Sequence, residues 1–135
     1  MLVIVLLVVL FIGMYAYKEF YRKPAELNNL EPFEHLTASD LCTLYSNYED
    51  SANKKYLGKI IEVSGCVIEV ENQQDTLLSI FFGDTLQTAR VSCLMDKNSI
   101  SAAKKVVRGD LIKIKGICTG YLMDVELNRC VLVKQ

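Results

Sequence analysis

The stretch KYLGKIIEVSGCVIEVE, residues 55–71, decides how the chain folds. Ile61 and Val63 alternate with Glu62 and Ser64, the two-residue period of a strand with one buried face. Past Gly65 the inward set changes parity to Cys66, Ile68 and Val70, set against Val67, Glu69 and Glu71. A one-residue slip at a glycine predicts a β-bulge at Gly65, bending a long strand so that it can serve a closed barrel.

The segments that follow keep the same period. DTLLSIFFG alternates Leu78, Ile80 and Phe82, and QTARVSCLM alternates Ala89, Val91, Cys93 and Met95, with Gly83-Asp84 turning between them. NSISAAKKVVRGD predicts a short helical turn with Ile100, Ala103 and Val107 on one face, ended by Gly109. LIKIKGIC, with Lys113 and Lys115 facing outward, and DVELNRCVLV then form a closing hairpin through Thr119 to Met123. Strands are therefore expected at Lys59 to Glu71, Thr76 to Phe82, Thr88 to Met95, Leu111 to Cys118 and Asp124 to Val133. Three strands, a helix and two strands, with the first strand bent, is the order of the mainly β, five-stranded Greek-key OB barrel. A generic small β-barrel is the alternative.

Before the barrel, LTASDL offers Thr37 as a helix N-cap with Asp40 three residues on. Leu41, Leu44, Tyr45, Tyr48 and Ala52 then form one apolar stripe, so residues 37–55 read as an amphipathic helix that docks on the barrel of residues 56–135. Residues 23–36 hold both prolines and read as an extended linker. Residues 1–22 read as a transmembrane anchor: Met1 to Tyr17 carries no charge, and a bilayer span needs about 20 mostly apolar residues, with roughly 17 as the short limit. Tyr15, Tyr17, Phe20 and Tyr21 beside Lys18, Arg22 and Lys23 suit a membrane interface. No small-x-small cleavage site follows the run and the first cysteine is Cys42, which favours an uncleaved single pass over a signal peptide. The flanking cations alone would place the C-terminal domain in the cytoplasm.

The 135-residue chain has a formal net charge of -1, unevenly spread. Pro24 to Asn53 carries six acids and no Lys or Arg, whereas Lys54 to Gln135 has twelve Lys and Arg against nine Asp and Glu, a surplus of three. That surplus is small for a dedicated polyanion binder.

LTASDL, SANKKYLGKIIEVSGCVIEV and GDLIKIKGICTGYLMDVELNRCVLVK, in this order between Leu36 and Lys134, resemble the bacterial tRNA-anti-like family of OB domains. The resemblance implies the OB barrel, and, because similar members often begin with lysines ahead of a membrane span, a domain outside the cytoplasm. It also implies that Tyr121 covers one barrel end while Asp124 caps the turn into the last strand.

Catalysis has little to rest on, since His35 lies in the linker without a nucleophile, and Asp110, Asp124 and Glu126 suit turn and solvent positions. No enzyme activity, metal or cofactor is expected: the five cysteines show no Cys-x-x-Cys spacing. Cys66 and Cys93 read as inward-facing. In an exported domain Cys118 and Cys130, or Cys93 with either, are disulfide candidates, as these strands adjoin in an OB barrel. Ligand-binding candidates on the barrel surface and its loops are Phe81, Arg90, Lys113, Lys115 and Tyr121. The expected role is a membrane-anchored binding or scaffolding module for a protein or envelope component, with single-stranded nucleic acid, or another oligomeric ligand, through the OB face as the alternative.

Overall fold

A computed structural model describes Met1, Val8, residues 10–15, Tyr17, residues 26–84 and residues 88–134. Strand β1 (Glu34–Thr37) leads into helix α1 (Ala38–Tyr56), followed by β2 (Ile60–Gln73), β3 (Leu77–Phe82) and β4 (Val91–Met95). A one-turn helix α2 (Ile100–Ala103) then precedes β5 (Leu111–Tyr121) and β6 (Val125–Leu132). The sheet runs β1-β2-β3-β4-β6-β5, and β2 also pairs with β5, so β2 to β6 close into a five-stranded barrel.

The bend in β2 makes closure possible. Its first half, Ile60 to Cys66, pairs with β5, and its second half, Val67 to Gln73, pairs with β3. The register slips between Val67 and Glu69, so the bulge lies three residues beyond the predicted Gly65. Ile61, Val63 and Val67 are buried, which makes Gly65 the inward position between them. A Cβ at Gly65 would stand 3.0 Å from Ala38 Cβ and 3.2 Å from Phe82 Cγ, so the start of α1 and the Phe82 ring fill the space of its missing side chain. An inward glycine looks like a break in alternation, which is why the slip is misplaced in the sequence. Cys66 consequently points outward and is exposed, contrary to expectation.

Helix α1 starts as predicted. Thr37 Oγ1 accepts from the Asp40 amide at 3.1 Å and donates to Asp40 Oδ2 at 2.7 Å, closing the cap. Leu41, Tyr45, Ala52 and Tyr56 are buried on the barrel, but the expected stripe breaks at Tyr48, whose φ of -142° and ψ of 52° kink the helix and turn the ring out. Past α2 the prediction also misplaces one residue: Val107 is exposed, and Val106 packs on the core.

The predicted linker is partly built into the domain. Residues 34–37 pair parallel with Ile61 to Ser64, on the β2 edge that β3 does not reach. Ahead of them a 3-10 turn at Leu27–Asn29 buries Leu27. Of the predicted anchor, residues 1–22, positions 2–7, 9, 16 and 18–22 lie outside the described residues; residues 10–15 are helical and exposed. Among the described residues no helix is long and apolar enough to cross a membrane.

Candidate binding faces of the barrel

Strand register assembles the outward face of the β2-β3-β4-β6 sheet. Glu69 lies opposite Phe81, Phe81 opposite Ser92, and Ser92 opposite Glu126, which makes one row across four strands. The next row is Glu71, Ser79 and Leu94. Directly opposed residues share a face, so Phe81 sits between Glu69 and Ser92, with Glu126 one strand further along the row.

Arg90 sits at the edge of this face with its charge already engaged. Its guanidinium lies 4.6 Å from the Phe81 ring centroid, 2.9 Å from Asp124 Oδ2 and 3.0 Å from Glu69 Oε2. Its backbone amide also donates to Asp124 Oδ1, at 3.2 Å. Hydrogen bonding to Asp124 raises the Arg90 pKa above its ordinary value. Phe81 itself is only 8% exposed. The aromatic platform on which an OB face would stack a base is therefore covered by a cation that two acids hold in place. Asp124, expected as a turn cap, works as this clamp. Nothing in the sequence signals it, because Arg90 and Asp124 are 34 positions apart.

The remaining candidates lie elsewhere and do not converge. Lys115, expected to face outward, does leave the sheet on the outer side, but it is 8% exposed. Its ammonium donates to the carbonyls of Leu30 (2.7 Å), Leu27 (3.2 Å) and Asn28 (3.4 Å), strapping the N-terminal segment onto the barrel. Lys113, two residues earlier, stays 53% exposed with Glu62 4.0 Å away. It opens on a cleft of about 580 Å³ with Ala38, Gly65, Ile68 and Leu111. Tyr121 packs on Tyr45 with ring centroids 5.7 Å apart and borders a separate cleft of about 370 Å³. Next to it, Leu122 and Met123 stand 81% and 84% exposed at the hairpin tip, an apolar pair the sequence reading passed over.

All five cysteines are free thiols. Cys118 Sγ lies 3.1 Å from the Tyr45 hydroxyl, and burial pushes the Cys42 thiol up to about 11. Among the described residues no group of three His, Cys, Asp or Glu could hold a metal ion.

A closed five-stranded barrel with a helix ahead of it, a helical turn between its third and fourth strands and a bent first strand is an OB fold. The tRNA_anti-like family model matches residues 1–132, and the chain belongs to that family. Among solved structures, a candidate nucleic acid-binding lipoprotein from Klebsiella pneumoniae is similar at a TM-score of 0.63 and 14% identity, over 73% of this chain and 91% of that one. The Stn1-Ten1 complex of S. pombe follows at a TM-score of 0.44 and 12% identity, over 56% of this chain and 59% of that one. No curated protein matches.

Proposed function

We propose that the chain is a membrane-anchored OB-fold binding module whose open β3-β4 face engages a protein or envelope component instead of nucleic acid. The observation that carries this reading is the charge of the face. Glu69, Glu71, Asp124 and Glu126 are set around one arginine that is already paired. Such a field repels a phosphate backbone and suits a partner that brings positive charge. Leu77, 45% exposed, and Leu94 supply apolar surface on the same face.

Anchoring is supported by the N-terminal helical residues, where Leu10, Phe11 and Ile12 are 65%, 73% and 62% exposed. An apolar helix surface of that kind calls for lipid around it. The extracytoplasmic side rests on the family likeness. Alkaline phosphatase fused after Gln135 is expected to be active; an inactive fusion beside a working cytoplasmic reporter would reverse the side.

For the binding face, the test is capture by a photo-crosslinker placed at Ser92 in the full chain, with a single-stranded oligonucleotide titration in parallel. A crosslinked protein or envelope component, lost on Glu69→Lys with Glu71→Lys, is the expected result. Low-micromolar oligonucleotide binding that weakens steeply with salt would replace this reading with the nucleic-acid one.

A further inference from the structure

Cys93 and Cys130 are both fully buried inside the barrel, one on β4 and one on β6. These two strands form a parallel seam that brings together parts of the chain more than thirty residues apart, with Cys93 opposite Leu127 and Met95 opposite Cys130. Val125 and Leu127 point inward along β6, and simple alternation would next place Arg129 inside. Instead Arg129 adopts a left-handed φ of 54°, and the register shifts there, so that Cys130 turns inward. Its sulfur fills the space over Gly116, where an added Cβ would stand 2.5 Å from Cys130 Sγ. It also lies against the Cys93 thiol.

The other cysteines are placed differently. Cys118 is turned to the Tyr45 hydroxyl, Cys42 belongs to α1, and Cys66 is on the outside. Of the three thiols on β4, β5 and β6, two meet and the third is engaged elsewhere.

We infer that Cys93 and Cys130 form an intrachain disulfide across the β4-β6 seam when the chain folds in an oxidising environment. The oxidant is a small disulfide such as oxidised glutathione. One cysteine thiolate attacks it and expels one glutathione thiolate, leaving a mixed disulfide. The second cysteine thiolate then displaces the other glutathione, so two protein thiols are oxidised while one glutathione disulfide is reduced to two thiols. Because neither sulfur reaches solvent in the closed barrel, the exchange takes place before closure. Once the reduced barrel has formed, the pair is protected. The bond therefore records the redox state of the compartment in which the chain folded.

The test is cell-free synthesis of the full chain into detergent, in one glutathione buffer poised oxidising and one poised reducing. Free thiols are alkylated before digestion without reduction, and linked peptides are mapped by mass spectrometry. The expected product of the oxidising reaction is a peptide joining Cys93 to Cys130, with the melting temperature raised by roughly 10–20 °C over the reduced chain. Cys93→Ala should abolish both the link and the redox-dependent shift, while Cys118→Ala keeps both. Chain made under reducing conditions and then given oxidised glutathione should stay unlinked until it is unfolded. A Cys118 to Cys130 link, alkylation of both Cys93 and Cys130 in the oxidising reaction, or a linked chain that melts no higher than the reduced one would overturn the inference.

Discussion

Two outward faces of one barrel meet different fates. On β5 and β6 the outer side is roofed by the N-terminal segment: Leu27 and Val131 are buried, and Lys115 is spent on three backbone carbonyls. On β3 and β4 the outer side stays open, with Arg90 lying over Phe81 between two carboxylates. Alternation says which side of a sheet a residue takes, but it does not say whether another part of the chain will cover that side. The covered face holds the domain to its own N-terminal segment, and the open face is the one proposed to meet a partner.

The largest effect should come from the roof. Lys115→Met leaves three carbonyls without their donor and is expected to cost about 2–3 kcal/mol in thermal or denaturant unfolding. Lys113→Met, two residues away on the same side of the strand, should stay within about 0.5 kcal/mol. Equal effects at the two lysines would show that the bonds from Lys115 to the N-terminal segment do not hold that roof in place.

Next comes the seat of α1. Gly65→Leu pushes a side chain against Ala38 and Phe82 and should destabilise by about 2 kcal/mol. A neutral outcome would restore Gly65 as an outward bulge. On the open face Arg90→Ala removes a partly exposed ion-pair network and a cation-π contact, and about 1 kcal/mol is expected. A null result in unfolding would show that Arg90 is available to a ligand after all.

The smallest effect concerns β1. Hydrogen bonding from Lys55 holds the Glu34 carboxyl below its ordinary pKa of 4.5. A lowered folded pKa means that this contribution is complete above the ordinary value and is lost as pH falls through the lowered one. Glu34→Gln should therefore narrow the stability difference from the parent chain below pH 4.5, and a difference that widens there would contradict the assignment.

These contrasts also show how far the sequence carries. The alternation of Leu78, Ile80 and Phe82, and of Ala89 to Met95, translates directly into the core, because each strand buries one face against the same interior. The Thr37 cap is local chemistry within four residues and is equally readable. Legibility fails where distant segments set the outcome. β1, Lys115 beneath Leu27 to Leu30, and Asp124 on Arg90 are all contacts between segments well separated in the chain. Gly65 fails for another reason, since a glycine facing the core leaves no apolar mark. Of the five surface candidates, Phe81 and Arg90 meet each other, whereas Lys113, Lys115 and Tyr121 go to separate places. Composition could not foresee that the open β3-β4 side would carry the acids.

That charge is the centre of the functional account, and amide chemical-shift mapping on the full chain in detergent micelles tests it most directly. One titration adds a single-stranded oligonucleotide and another an oligo-lysine peptide, both at low salt. The account predicts that the peptide shifts Ser79, Ser92 and Glu126, reversibly with added salt, and that the oligonucleotide leaves them in place. Oligonucleotide-induced shifts at Phe81, Arg90 and Ser92 that fade as salt rises would contradict it.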